Sequence, residues 1–226
     1  MADKPTIPRQ KVWDGPTRLF HWLLAGLFFF SWWTAVNRLM DWHRASGLTI
    51  LGLLVFRLWW GFAGSETARF TSFIKGPKAI LSYASGLFGR SHQLAFGHNP
   101  LGAVSVAAML LALVAQVGLG LFAMDTDGIE SGPLARFVSF EFAQATGELH
   151  ETSFRILLVL VGLHIAAILF YLAVKHVNLM RPMVTGYRLG TGSGPADGIS
   201  PVPISRFLVG VALASAVVGA VIIAGG

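Results

Sequence analysis

The 226-residue sequence contains no cysteine and few charged residues. The absence of cysteine excludes disulfides, thiolate zinc sites, iron–sulfur clusters and haem attached through a CxxCH motif. Charged residues make up only 12% of the chain and hydrophobic residues 54%, a balance that excludes an ordinary soluble domain. Any cofactor must therefore be held by histidine, methionine, carboxylate or packing in an apolar setting.

The net charge of +6 comes from single basic residues scattered between apolar runs. A nucleic-acid-binding protein would gather them on one face, so a membrane surface explains them better. Only four of the 17 Lys and Arg residues fall in the connections that are outer if the N-terminus is cytoplasmic: Arg38, Arg44, Arg136 and Arg155. The positive-inside rule thus predicts a membrane protein with a cytoplasmic N-terminus.

Five apolar runs are long enough to cross a hydrocarbon core about 30 Å thick. They lie near residues 17–36, 41–63, 99–123, 149–174 and 205–224. No small-residue cleavage site follows the first run, so we expect it to be retained as a helix. The charged segment between the second and third runs is expected to rest on the membrane interface.

The sequence therefore predicts an all-α membrane protein, a four-helix transmembrane bundle with a fifth, C-terminal transmembrane helix. Residues 189–204 are rich in Gly, Ser and Pro and predict a flexible linker. This linker would join the bundle domain, residues 1–188, to the last helix, residues 205–226.

The fourth run, "GELHETSFRILLVLVGLHIAAILF", carries His150 and His164 in an otherwise apolar stretch. Fourteen helical residues rise about 21 Å and turn to within about 40° of four full turns, so both rings project from nearly one face. One lies near the outer boundary and the other deep toward the cytoplasmic side. Such a helix can supply one ligand to each of two cofactors stacked across the bilayer.

Two further histidines lie at matching depths. His21, in "RLFHWLLAG", is about one turn inside the first run, and His43, in "DWHRASG", opens the second run from the outer side. The predicted pairs are His21 with His164 and His43 with His150, and each pair would bind the iron of one haem b axially. The 21 Å offset, about fourteen residues of helix, excludes the rival hypothesis of one four-histidine zinc site.

Arg57, in "LLVFRLWWG", lies fourteen residues after His43 and therefore on the same face at the depth of the cytoplasmic haem. An arginine at this depth needs a partner, and a haem propionate is a natural bidentate one. Gly47, one turn from His43, would let a porphyrin approach the backbone.

The other polar residues of the runs have simpler interpretations. His92 and His176 are expected to be interfacial polar residues, and Gln116 to make an interhelical hydrogen bond. His98, in "GHNPLG", could face either a propionate or a quinone headgroup.

Several stretches together resemble the bacterial cytochrome b561 and nickel–iron hydrogenase cytochrome b family. They are "VWDGPTRLFHW", "HRASGLTILGLLVFRLWWG", "HNPLG" and "LHETSFRILLVLVGLHIAAILFYLAVKH", within roughly Val12 to Arg188. The resemblance implies a four-helix bundle that holds two b haems and exchanges electrons between membrane quinone and a redox partner. Its ligand motifs fall on His21, His43, His150 and His164, and it does not extend to the fifth run.

We therefore expect a di-haem cytochrome that relays electrons across the membrane between the quinone pool and a partner such as a periplasmic c-type cytochrome or a hydrogenase or oxidoreductase subunit. Two imidazoles on each iron leave no open position, which favours a relay over an independent enzyme. The acidic segment Met124–Glu148 with its phenylalanines is a candidate docking loop, and quinone is expected near His98, Lys175 and Arg181.

Two alternatives of other classes remain. A stand-alone membrane oxidoreductase acting on superoxide or ferric chelates with quinone would need an exposed haem edge. A haem-free structural anchor would be colourless when purified.

Overall fold

The computed structural model describes residues 9–87, 95–189, 195 and 197–226. This part of the chain is mostly helical, and five of its helices are long and apolar enough to cross a membrane, which confirms the five predicted spans. The helices in chain order are α1 (Gly15–Val36), α2 (Met40–Ala63), α3 (Phe70–Phe73), α4 (Pro77–Gly86), α5 (Pro100–Phe122), α6 (Phe140–Ala173), α7 (Met180–Thr185) and α8 (Ile204–Gly225).

A two-stranded ribbon and one 3-10 turn complete the described elements. Strand β1 (Arg9–Lys11) pairs antiparallel with β2 (Tyr187–Leu189), so that Arg9 lies opposite Leu189. The 3-10 turn is Ala135–Phe137. The ribbon joins the segment before α1 to the segment after α7 and holds both at one end of the bundle.

Three of the long helices begin at a side-chain cap. Asp14 accepts the backbone N–H of Thr17 at 2.6 Å, and Asn99 accepts that of Gly102 at 2.7 Å. Ser139 caps α6 through the N–H of Phe142 at 3.3 Å. These caps satisfy backbone donors that the helix itself leaves unpaired, and a proline near the start of α1 and α5 suits the same position.

Helix α6 begins nine residues before the predicted span, because Ser139 starts it at Phe140. The last third of the predicted loop, residues 140–148, is therefore helical. Its acidic residues, Glu141 and Glu148, lie outside the apolar window that defined the span. A helix that continues out of the hydrocarbon layer has no apolar signal there.

Large apolar side chains cover the outside of the bundle. Leu111, Leu163 and Ile223 are 71%, 62% and 81% exposed, and many other large apolar side chains of the long helices are also exposed. In water such a surface would be an association site over its whole height. In a bilayer it is the lipid-facing surface, so the chain is a multi-pass membrane protein.

Helix α2 is the most buried of the five long helices. It packs against α1, α5 and α8, and α5 packs along α6. The backbones of α1 and α6, in contrast, make almost no close approach. We call the end of the bundle where α1 and α5 begin and α2 and α6 end the inner end, after the predicted orientation, and the opposite end the outer end.

Some predictions fall on residues outside the described ranges, namely His92, the basic residues Lys4 and Arg90, and part of the linker. Of the linker's described residues, Ile199 is buried and its N–H donates to the carbonyl of Lys11 at 3.0 Å. The division into bundle, linker and last helix stays a prediction.

Helix α8 contacts α2 through a glycine, which gives a direct test of this packing. A Cβ at Gly210 would lie 2.6 Å from Trp59 and 2.9 Å from Phe56, so Gly210→Val must push rigid aromatic rings aside. Overpacking of this kind costs about 1–3 kcal/mol. We expect a lower midpoint of thermal unfolding in detergent for Gly210→Val.

The matched control is Gly219→Val on the same helix, where a Cβ would have no neighbour within 4 Å. It should unfold at the wild-type midpoint. Equal midpoints for the two variants would mean that α8 does not pack on α2 in this way.

Candidate haem-binding site

Four histidines from three helices form two pairs at different depths. The ring centroids of His21 (α1) and His164 (α6) are 6.5 Å apart near the inner end. Those of His43 (α2) and His150 (α6) are 6.1 Å apart near the outer end. The structure thus brings together the residues that the sequence paired by depth.

Both separations leave room for one iron between the rings. An imidazole nitrogen binds a metal at about 2 Å and the ring centroid lies about 1 Å behind it, so two axial imidazoles place their centroids about 6 Å apart. The two histidines of each pair come from helices whose backbones make almost no close approach, α1 and α6 for the inner pair and α2 and α6 for the outer pair. Their spacing and surroundings fit porphyrin iron, and ligation itself stays a prediction.

The outer pair has its ring protons fixed by backbone carbonyls. Nδ1 of His43 lies 2.9 Å from the carbonyl oxygen of Ser31, and Nδ1 of His150 lies 2.8 Å from that of Gln116. Because a carbonyl can only accept, Nδ1 carries the proton in both rings. Each Nε2 is then the unprotonated nitrogen that a metal requires.

Gln116 does more than the expected interhelical hydrogen bond. Its side-chain Nε2 lies 3.0 Å from Nε2 of His150, and its Oε1 accepts from the hydroxyl of Ser153. The amide therefore donates to the same ring nitrogen that would bind iron. An iron bound to this nitrogen would displace the amide side chain of Gln116. The backbone carbonyl of Gln116 would still accept the hydrogen bond from Nδ1 of His150.

The inner pair lies beside a buried cation. Arg57 is only 3% exposed, its Nη1 has no hydrogen-bond partner in the described part of the chain, and its guanidinium lies 5.0 Å from the ring centroid of Phe70. Nδ1 of His21 is likewise buried without a partner. These atoms fit a haem with a carboxylate directed at Arg57.

His98 lies next to this cluster. Its ring lies between Trp13 and Phe73, at centroid distances of 4.7 and 4.6 Å, and its Nδ1 is fully enclosed. Burial, together with the charges of Arg57 and His164, lowers the pKa of His98 to about 3. The ring is therefore neutral near pH 7 and fits an uncharged hydrogen-bonding role better than an ion pair.

An apolar layer separates the two pairs. Leu157, 1% exposed, lies midway between His150 and His164 on α6, and it packs with Ile50 and Leu54 of α2. The same cluster contains Phe20, Leu110 and Leu113. It excludes water from the space between the pairs and fixes their separation.

A second polar cluster lies at the inner end. The hydroxyls of Tyr83 and Tyr171 are 2.7 Å apart, and Asn99 donates to the Tyr171 hydroxyl at 3.1 Å. Burial, with the Tyr171 hydrogen bond, raises the pKa of Tyr83. The sequence interpretation did not single out these residues, because a tyrosine in an amphipathic segment has no distinctive spacing.

His176 and the other described side chains that could bind a metal lie apart from the two histidine pairs or do not converge. His176 lies in the exposed segment after α6, away from both pairs. No group of three or more His, Asp or Glu side chains converges as a metal site among the residues that the structure describes.

Comparison with known protein families identifies a relationship for most of this chain. A family model described as prokaryotic cytochrome b561 matches residues 12–186, a range that includes α1, α2, α5, α6 and the four paired histidines. No curated protein and no solved structure gave a significant match. The matched range ends before α8.

Gly120 of α5 allows the outer pair to be tested without removing a ligand. A Cβ there would lie 2.8 Å from Cε1 and 3.0 Å from Nδ1 of His150, so Gly120→Ala must push this ring out of place. We expect a weakened and shifted reduced-minus-oxidised haem spectrum. Gly118→Ala, where a Cβ has no neighbour within 4 Å, is the control and should keep the wild-type spectrum. Identical spectra for both variants would contradict the placement of His150.

Proposed function

Because this chain belongs to the prokaryotic cytochrome b561 family, we propose that it relays electrons across the membrane through two b haems, one near each end of the bundle. The family makes it a membrane b-type cytochrome of electron transport. The number of haems, their ligands and the direction across the bilayer belong to the proposal.

The observation that carries the proposal is the pair of histidine contacts at two depths. One imidazole pair with centroids 6.5 Å apart and another with centroids 6.1 Å apart both suit a single iron between them. Fourteen residues of α6 hold the two positions about 21 Å apart. One helix thereby sets the spacing of two redox centres.

A b haem supplies reversible one-electron chemistry at its iron. His21 and His164 would hold one haem iron and His43 and His150 the other, which would leave neither iron with an open position for oxygen or substrate. The protein holds the rings, keeps Nε2 of His43 and His150 unprotonated, and places the apolar Leu157 layer between the pairs. These roles suit electron relay better than independent catalysis.

We further propose a bacterial inner-membrane location with the N-terminus in the cytoplasm. The described basic residues at the inner end include Lys75, Lys78 and Arg181, all exposed, whereas Asp125 and Asp127 are exposed at the outer end. This distribution follows the positive-inside rule.

The chemistry of the two ends suggests where each exchange partner would bind. A quinone would meet the inner haem near His98, Lys175 and Arg181, where the buried ring of His98 offers hydrogen bonding without charge. A periplasmic c-type cytochrome or a hydrogenase or oxidoreductase subunit would dock at the outer end. There the acidic connection exposes aromatic side chains: Phe137, Phe140 and Phe142 are 61%, 50% and 53% exposed.

Haem quantitation on ligand variants tests the proposal. His150→Ala and His164→Ala each remove one axial ligand, so we expect two haems per chain to fall to one or none in each variant. The measurement is the haemochromogen assay together with the reduced-minus-oxidised spectrum. His176→Ala, which changes an exposed histidine, should retain both haems. Unchanged haem content in either ligand variant would reject the assigned ligands.

Orientation can be tested without background because the chain has no cysteine. We expect Asp127→Cys to react with a membrane-impermeant maleimide in spheroplasts, and Lys78→Cys to react only after the membrane is opened. Both positions are exposed, so access to the reagent decides the result. The reverse pattern would place the N-terminus outside.

A further inference from the structure

Buried polar atoms without a hydrogen-bond partner are gathered at the inner end. Within the described residues they include Thr17 Oγ1, His21 Nδ1, Arg57 Nη1, Ser65 Oγ, Arg69 Nε and His98 Nδ1. The described part of the outer end has no such atom. Because a buried polar group without a partner carries its full desolvation penalty, a cluster of them at one end marks a place for a polar ligand.

The turn after α2, residues 64–73, connects these atoms. The N–H groups of Ala68 and Arg69 donate to the carbonyl of Ser65 at 3.0 and 3.1 Å, so the turn is closed on itself. Its Phe70 lies under the guanidinium of Arg57, and its Phe73 lies against His98. The turn that carries Ser65 and Arg69 therefore packs against Arg57 and His98 at the inner end.

The same turn is fixed to its neighbours on two sides. The hydroxyl of Thr67 donates to the carbonyl of Val12 at 2.6 Å. Gly97 packs on Thr67, where a Cβ would lie 3.1 Å from the threonine methyl group. These contacts of Thr67 fix the position of the turn relative to the segment before α1 and the segment before α5.

The carboxylates nearest to these guanidinium groups do not form ion pairs with them: Asp14 lies near Arg57, and Glu66 belongs to the same turn as Arg69. No carboxylate lies within ion-pair distance of Arg57 or Arg69 in the described part of the chain. Asp14, the acid near Arg57, already accepts from the N–H of Thr17 and from the indole of Trp60 at 3.0 Å. A buried guanidinium with a nitrogen that makes no hydrogen bond is costly, and carboxylates match its geometry best.

The outer end differs in this respect. Arg44 there is paired with Asp41 at 2.6 Å and with Glu130 at 2.7 Å. Arg38 and Arg136 are exposed to solvent. A haem at the outer end would find no buried, unpaired arginine for its carboxylates in the described part of the chain.

We propose that Arg57, Arg69, Ser65 and Thr17 form one anion pocket for the two propionates of the inner haem, and that this pocket gives the inner haem a higher reduction potential than the outer haem. The proposal rests on the di-haem function proposed above. Arg69, Ser65 and Thr17 act here as positioning and charge-compensating residues. Electrons that enter at the outer haem then move to a more favourable site at the inner haem.

The physical reason is the charge change at the iron. Reduction removes one positive charge, so uncompensated propionates nearby favour the oxidised state and nearby cations favour the reduced state. In a buried site these interactions are screened much less than at the surface. Each buried arginine that faces a propionate therefore raises the potential of that haem alone.

The test is a spectroelectrochemical titration of the purified two-haem protein. Arg69→Gln should lower the midpoint potential of the inner haem and leave the other unchanged. The inner haem is identified as the transition that is lost in His21→Ala. Lys75→Gln is the matched control, because it removes one positive charge at the same end from an exposed position. It should leave both potentials at their wild-type values.

Two further variants keep the test decisive. Arg69→Lys, which retains the charge but not the fork of donors, should restore most of the lost potential. If Arg69→Gln does not accumulate, Ser65→Ala should lower the same midpoint by a smaller amount, and the absence of that shift would overturn the proposal.

The other outcomes separate the pocket from the function. If Arg69→Gln binds two haems and the inner potential is unchanged, the proposed anion pocket is wrong but the proposed electron relay is not affected. A lower inner potential in Lys75→Gln would have the same meaning. An equal shift of both haems would show a long-range charge effect and also overturn the pocket. Fewer than two haems in the wild-type chain would instead reject the proposed function.

Discussion

The arrangement of the bundle depends on a requirement of imidazole chemistry, namely that a ring which binds iron must present an unprotonated nitrogen. At the outer end, the carbonyls of Ser31 and Gln116 meet this requirement by accepting the Nδ1 protons of His43 and His150. These acceptors lie on α1 and α5, helices that do not carry the ring in question. The arrangement of the outer pair therefore exists only when the neighbouring helices are packed, which couples assembly of the pair to assembly of the fold.

The two ends of the bundle differ in how their arginines are paired. The arginine of α2 near the outer pair, Arg44, is neutralised by protein carboxylates, whereas Arg57 at the inner end is buried without an ion pair among the described residues. A buried cation with no counter-ion is tolerated where a ligand supplies the missing charge. Chemically similar pairs of imidazoles can therefore have different surroundings, and differences of this kind set redox potentials.

Much of this arrangement follows from the sequence, because helix periodicity gives the depth of each histidine and the helix face on which it lies. The spans, and the pairing of His21 with His164 and of His43 with His150, needed only the rise and turn per residue. The start of α6 at Phe140 was missed because its first turns are polar. The roles of Ser31 and Gln116 were missed for a different reason: they act through backbone carbonyls, which every residue has. Arg69 lies in a loop whose course is set by tertiary contacts and not by periodicity.

The fifth helix also acquires a structural role through α2. Helix α2 carries both His43 and Arg57, so its position bears on both haem positions. Helix α8 packs on it through Gly210, against Phe56 and Trp59, and through Val218, which lies 3.3 Å from a Cβ placed on Gly52. At the inner end the indole of Trp59 donates to the carbonyl of Arg206, and Arg206 donates to that of Ala63 at the end of α2. Because α8 covers a side of α2 that would otherwise face lipid, it restricts the helix on which the two sites are aligned.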